Sequence, residues 1–150
     1  MPQSDPLVQR ARAAALRAYA PYSGFSVGCA VESASGQVVA GANMENACYR
    51  LGVCAEISAL TAAATAFGLD QVRRIAVAGG HVAEGALAGA SLVTPCGGCR
   101  QAILEAAHVA GVDVEVIAAS GDGAEVRVLR ISELLPLGFG PANLADADRA

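Results

Sequence analysis

The sequence contains no lysine, and its ten arginines are outnumbered by fourteen acidic residues, which gives a net charge of −4. Only Arg73 and Arg74 form an adjacent basic pair. A protein that grips a nucleic acid backbone usually presents a clustered basic face. The charge pattern therefore predicts no polynucleotide partner.

Long apolar runs and a disulfide-type set of cysteines are also missing. Every apolar stretch is interrupted before the roughly 18 residues that a membrane span needs, and no charged segment followed by an apolar one opens the chain. The five cysteines are an odd number, which argues for metal or thiol chemistry in a reducing compartment. We therefore expect no membrane partner and a cytoplasmic location.

The length of 150 residues and the hydrophobic content of 54% predict one globular domain over 1–150, with a flexible tail at about 142–150. Helical patterns run from a cap at Asp5 to about Tyr19, over 54–67 and over 98–109. Strand patterns cover 26–31, 37–43, 74–78, 112–118 and 125–129. This alternation predicts an α/β/α three-layer fold around a five-stranded mixed sheet.

Two short motifs carry the chemistry: Cys-Ala-Glu at 54–56 and Pro-Cys-Gly-Gly-Cys at 95–99. Thiolates from Cys54, Cys96 and Cys99 can hold a zinc ion and leave its fourth position open, as in catalytic zinc sites. Both motifs fall at predicted helix starts, where backbone N–H groups and the helix dipole favour a thiolate. A Glu two residues after the first ligand, followed by Pro-Cys-x-x-Cys, is typical of zinc deaminases that act on nucleobases.

The alternative for the Cys-x-x-Cys pair is a redox centre or half of a closed structural zinc site. A closed site needs a fourth ligand, and no further His or Cys has a paired spacing. We interpret Cys29 as a core residue and Cys48 as structural. His81 and His108 are interpreted as exposed or locally hydrogen-bonded rather than as metal ligands.

Glu56 is the predicted proton shuttle. It would take a proton from the attacking water, deliver it to the ring nitrogen and later help to protonate the departing ammonia. A Glu in a first helical turn can also simply complement the helix dipole, and its offset of two from Cys54 favours the catalytic interpretation.

Four motifs in order now carry a family resemblance over about 19–139. The chain resembles the small homotetrameric cytidine deaminases in Ala-Pro-Tyr-Ser-Gly-Phe-Ser-Val-Gly at 20–28, Asn-Met-Glu-Asn-Ala-Cys-Tyr at 43–49, and the motifs at 54–56 and 95–101. The resemblance implies hydrolytic deamination of cytidine and 2′-deoxycytidine in pyrimidine salvage. It also implies one Zn²⁺ per subunit and a homotetramer with sites shared between subunits.

By that resemblance, Asn43 and Glu45 bind the ribose, chiefly its 3′-hydroxyl, and Phe25 lines the pyrimidine pocket. Ala55 contacts the substrate, and Phe139 reaches the site of a neighbouring subunit. A carboxylate beside the 3′ position repels a phosphodiester, which favours a free nucleoside as the substrate.

One position departs from the family pattern. Members with three cysteine ligands typically have Arg after the Glu, and this chain has Ile57. We hypothesise that Arg100 and the two helix dipoles compensate the thiolate charge, so that Arg100→Ala would raise the pH needed for turnover. Ile57 also leaves open a deaminase for modified cytosine nucleosides, such as the blasticidin type, while a non-catalytic zinc or redox module would have no use for Glu56.

Overall fold

The computed structural model describes residues 5–145. A mixed sheet with helices on both faces forms the centre of the fold. The strands are β1 (Ser26–Ser33), β2 (Val38–Ala42), β3 (Val72–Ala83), β4 (Ala86–Ala88), β5 (Leu92–Val93), β6 (Glu115–Ser120) and β7 (Val126–Arg130). The helices are α1 (Pro6–Ala15), α2 (Ala55–Ala66), α3 (Gly97–Ala110), α4 (Ile131–Leu134) and α5 (Pro141–Ala145), and 3₁₀ turns cover Tyr49–Leu51 and Leu69–Gln71.

The sheet runs in the order β2, β1, β3, β6. The first two pairings are antiparallel and the β3–β6 pairing is parallel. Strand β6 also pairs antiparallel with β7 and, through its last residues, with the short β5. Strand β4 folds back on the far end of β3 as a hairpin.

The period-2 alternation of the strands divides the core into two layers. Along β3, Ile75 and Val77 belong to the cluster with α2 and α3, whereas Ala76 and Ala78 face α1. The α1 side is lined by small residues, so this helix lies close to the sheet. A Cβ at Gly28 would lie 1.9 Å from the carbonyl oxygen of a residue in α1, so only glycine fits there.

The predicted α/β/α fold is confirmed, but within residues 5–145 the sheet has seven strands rather than five. The two missed strands, β4 and β5, have only three and two residues, too few for a periodic pattern. Strand β3 is also longer than predicted, because pairing with β1 and β4 carries it through the glycines at 79 and 80. Cross-strand partners define these segments, and local composition does not indicate them.

The helices at 54–67 and 98–109 are confirmed within a residue or two as α2 and α3. Asp5 caps α1 as predicted, with Oδ1 accepting from Leu7 N at 2.9 Å. The prediction that α1 reaches Tyr19 is wrong. The helix ends at Ala15, and the backbone of Tyr19 bonds instead to that of Asn43 and Glu45.

The predicted flexible tail at 142–150 is only partly within the described range. Residues 142–145 belong to the short α5, and 146–150 lie outside the described residues. The flexibility of this segment stays a prediction. Among the described helices, none combines the length and the apolar character that crossing a membrane requires.

Candidate metal centre and active site

Three cysteines converge at the first turns of two helices. Cys54 is the N-cap of α2, Cys96 is the N-cap of α3, and Cys99 lies in the first turn of α3. Their Sγ atoms all lie within 4.8 Å of one another. The 42-residue separation between Cys54 and Cys96 is thus closed by the packing of α2 beside α3 on one face of the sheet.

The donor set fits a zinc ion. Tetrahedral Zn–S bonds of about 2.3 Å put sulfur atoms about 3.8 Å apart, which is within the observed spacing. Among the described residues, these three form the only cluster with metal-ligand geometry. Three protein ligands leave one tetrahedral position for a water or a substrate group.

The pKa values of the thiols differ according to their surroundings. The Cys96 thiol has a lowered pKa, chiefly because its sulfur accepts hydrogen bonds from backbone N–H groups at the start of α3. Burial raises the pKa of Cys54 and, further, that of Cys99, and the nearby Glu56 adds to both effects. The expectation that helix termini favour all three thiolates is therefore met only at Cys96, and a divalent cation would offset the repulsion at the other two.

Glu56 is 4% exposed and lines a pocket of about 690 Å³, which is the size of a small-molecule site. The buried Ala55 and the half-buried Phe25 line the same pocket. Of the predicted metal ligands, Cys54 and Cys96 line it directly. One cavity therefore brings a buried carboxylate beside a set of metal ligands.

Asn43 and Glu45 also line this pocket. The Asn43 side chain accepts from Val27 N at 2.8 Å and donates to Phe25 O at 2.9 Å, so it fixes the backbone on both sides of residue 26. Glu45 Oε1 accepts from the backbone N–H groups of Tyr22 and Ser23 at 2.9 and 3.1 Å.

Hydrogen bonds from Ser23 and Tyr22 hold the pKa of the Glu45 carboxyl below its usual value. It is therefore an anion at neutral pH. The pocket lining contains two carboxylates, from Glu45 and Glu56. None of the described residues that line the pocket is Lys, Arg or His.

A family model described as "Cytidine and deoxycytidylate deaminase zinc-binding region" matches residues 1–114. The chain belongs to this deaminase family. It is 37% identical over 140 residues to a cytidine deaminase of Halalkalibacterium halodurans, a match that covers 93% of this chain and 96% of the relative. A cytidine deaminase of Mycobacterium tuberculosis is 37% identical over 142 residues, with 93% of each chain covered.

The solved structures of this family agree with the fold. The crystal structure of a cytidine deaminase from Burkholderia pseudomallei superposes with a TM-score of 0.76 at 37% identity and covers 89% of this chain and 96% of that one. The resemblance inferred from the motifs is confirmed, and so is the expectation of a zinc-binding deaminase domain.

No pattern in the sequence indicated which residues His81 contacts. The exposed His81 bonds through Nδ1 to Gly24 O at 2.9 Å, and its ring meets Phe25 edge-on with centroids 5.5 Å apart. His81 thus contacts Phe25, a residue of the pocket lining, and its hydrogen bond agrees with its interpretation as locally hydrogen-bonded. Cys29 is fully buried, which confirms the interpretation as a core cysteine.

Arg100 and Phe139 lie outside the set that surrounds the pocket. The Arg100 guanidinium donates to Pro95 O, Leu134 O and Thr94 Oγ1 at 2.8, 2.9 and 3.3 Å, so its described hydrogen bonds go to oxygen atoms and not to thiols. Phe139 is 58% exposed. Its role at the site of a neighbouring subunit stays a prediction.

Proposed function

We propose that this protein hydrolyses cytidine and 2′-deoxycytidine to uridine and 2′-deoxyuridine with release of ammonia. The observation that carries the proposal is the burial of Glu56 in the pocket that Cys54 and Cys96 of the three-thiol cluster also line. Family membership and the names of the relatives support the same reaction. The product suits a role in pyrimidine salvage.

In this proposal, Cys54, Cys96 and Cys99 hold one Zn²⁺ per subunit. A zinc ion with an open fourth position supplies the Lewis acidity that makes water a usable nucleophile near neutral pH. Glu56 accepts the proton of the attacking water, passes it to the ring nitrogen N3, and helps to protonate the leaving amine. Its burial protects these transfers from bulk water.

Asn43 and Glu45 bind the ribose in the same proposal. Asn43 Nδ2 donates one hydrogen to Phe25 O, and an amide nitrogen carries a second hydrogen that can reach a hydroxyl. A carboxylate has about four acceptor positions, so Glu45 can hold the turn at 22–23 and still accept from the 3′-hydroxyl. Phe25 and Ala55 line the space for the base.

The charge of the pocket favours a nucleoside over a nucleotide. The family description includes deoxycytidylate, whose phosphate would need a cationic partner. The described pocket lining offers two carboxylates and no cationic side chain. We therefore infer that free nucleosides are the substrates.

The decisive experiment compares wild type with Glu56→Gln. The glutamine keeps the shape of the side chain but cannot accept a proton, so we expect kcat to fall by roughly a thousandfold with zinc content unchanged. The loss of cytidine absorbance measures turnover, and elemental analysis measures zinc. A zinc-loaded wild type that is inactive on every cytosine nucleoside would refute the proposal and leave a non-catalytic zinc module.

A deaminase for modified cytosine nucleosides is the second candidate, because Ile57 replaces the Arg typical of the family. The same absorbance assay with base-modified and sugar-modified cytosine nucleosides decides between them. A kcat/KM at least tenfold higher for a modified nucleoside than for cytidine would favour this candidate.

We further propose that the protein is a cytoplasmic homotetramer whose sites are shared between subunits. The five cysteines, all in the described range and all free, suit a reducing compartment. Exposed apolar side chains, among them Tyr49, Leu137 and Phe139, are candidates for burial between subunits. In the tetramer, Phe139 would complete the pocket of a neighbour. Sedimentation of the zinc-loaded protein tests the assembly.

A further inference from the structure

The C-terminal arm, defined here as residues 134–140, lies along one stripe of α3. Three α3 residues spaced as i, i+3 and i+7 share that stripe: Gln101, Leu104 and His108. A Cβ at Gly138 would lie 2.5 Å from Leu104 Cδ2, and a Cβ at Gly140 would lie 2.5 Å from His108 Nε2. The two glycines on either side of Phe139 therefore allow the arm backbone to lie directly on the helix.

Two hydrogen bonds from consecutive α3 residues hold the arm on this stripe. Arg100 Nη1 donates to Leu134 O at 2.9 Å, and Gln101 Nε2 donates to Phe139 O at 2.8 Å. Just beyond the arm, Asn143 accepts from Gly140 N at 2.8 Å and donates its own N–H back to Gly140 O. The arm backbone is thus bonded to α3 at Leu134 and at Phe139, and a local turn follows at 140–143.

Two apolar side chains of the arm, those of Leu137 and Phe139, are exposed. Leu137 is fully exposed and adopts φ +54°, a left-handed conformation that is unfavourable for a residue with a branched side chain. Phe139 is 58% exposed although its own carbonyl is bonded to α3. An arm with a fixed backbone and exposed apolar side chains is suited to present those side chains to another surface.

The same helical turn carries a metal ligand. Arg100 and Gln101 directly follow Cys99, and Arg100 also donates to Pro95 O and Thr94 Oγ1 beside Cys96. The side chains of Arg100 and Gln101 therefore join the segment that supplies two of the three thiols to the arm that carries Phe139.

We propose that Arg100 and Gln101 are positioning residues that fix the arm on α3 and so hold Phe139 in the orientation needed to close a neighbouring subunit's pocket. This inference rests on the proposed function, in particular on the sharing of sites. In this proposal Arg100 fixes the position of the arm, a role separate from the compensation of thiolate charge.

The first test is Gln101→Glu, which keeps the size of the side chain and removes the donor to Phe139 O. Since Phe139 would form a pocket wall and take no part in proton transfer, we expect KM for cytidine to rise about fivefold. Both kcat and zinc content should stay within twofold of wild type. Glu105→Gln, an exposed change one turn further along α3, is the matched control and should leave KM unchanged.

A double-mutant cycle with Phe139→Ala tests whether Gln101 acts through Phe139. If it does, KM of the double variant equals KM of Phe139→Ala alone, whereas additive effects would contradict the proposal. If Phe139→Ala raises KM and Gln101→Glu does not, the positioning role is refuted and site sharing remains. If Phe139→Ala leaves KM unchanged, both are refuted, while turnover by wild type still supports the deaminase activity.

A fluorescence measurement tests the arm directly. The chain contains no tryptophan, so Phe139→Trp introduces a single reporter. Adding Gln101→Glu should lower the anisotropy of this reporter and shift its emission to longer wavelength, because the arm leaves α3. An unchanged spectrum and anisotropy would overturn the proposal.

Discussion

The two ends of the sheet differ in how their ionisable side chains are paired. At one end, Arg74 from β3 bonds to Asp5, to Glu32 at 2.6 Å and to Glu115 at 2.9 Å, and the bonds, above all that with Glu115, raise its pKa. One arginine is paired there with three carboxylates of the protein itself. The consequence is structural, since this network joins α1 to three strands.

The other end gathers groups of one sign. Cys54, Cys96 and Cys99 meet beside Glu56, and burial together with mutual repulsion raises the pKa of two of the thiols. Acidic groups with perturbed pKa values, gathered in a pocket, are typical of functional sites. The carboxylates at the Arg74 end have their cation within the protein, whereas the thiol cluster at the pocket end needs a cation from outside the chain.

The largest expected effect comes from removing a thiol at the pocket end. Cys99→Ala leaves two ligands, so zinc should be lost and turnover should fall by at least about a thousandfold. Elemental analysis and the absorbance assay measure the two losses. Cys29→Ala, the control, removes a buried thiol outside the cluster and should keep one zinc per chain. A Cys99→Ala protein that is active without zinc would contradict the proposal that the pocket end needs a cation.

A smaller effect is expected at the Arg74 end. Arg74→Met leaves three carboxylates without their shared cation, which should lower the free energy of unfolding by about 2 kcal/mol, given that the side chain is partly exposed. This corresponds to a fall in Tm of about 4–8 °C. Turnover at 25 °C should stay within twofold.

Arg127→Met is the control for Arg74→Met, because Arg127 is exposed on β7 and has no part in the network. It makes the same change in net charge and should shift Tm by about 1 °C or less. Equal shifts from the two variants would indicate that net charge, and not the network, stabilises this end.

The smallest effect concerns selectivity at the pocket end. Glu45→Gln removes the anion that would repel a phosphate at the 3′ position, so kcat/KM for 2′-deoxycytidine 3′-phosphate relative to 2′-deoxycytidine should rise about tenfold. Because the pKa of Glu45 is lowered, wild type should keep its discrimination at neutral pH and lose it only as the pH falls through that lowered pKa. A ratio that does not change would show that Glu45 does not set the preference.

The parts of the site that the sequence predicted are those that depend on local geometry. Cys54, Glu56, Cys96 and Cys99 occupy first turns of helices, and their spacing along the chain is enough to indicate a metal site. The fold class followed from the alternation of helices and strands for the same reason.

The contacts that were missed join residues far apart in the chain. Asn43 bonds across 18 residues to Phe25, and Arg100 across 34 residues to Leu134. Hydrophobic periodicity predicts helices and strands but does not predict either of these contacts. The partners meet only because the helices and the sheet pack together. The short strands β4 and β5 escaped prediction in the same way, since only their partners define them.

Asp5 has a consequence for the order in which the molecule assembles. One oxygen of its carboxylate caps α1 and the other bonds to Arg74 of β3. The start of this helix and its docking on the sheet therefore depend on one side chain. Helix α1 should therefore fold and unfold together with the central strands as one cooperative unit. The amide hydrogens of α1 should exchange with solvent no faster than those of the central strands.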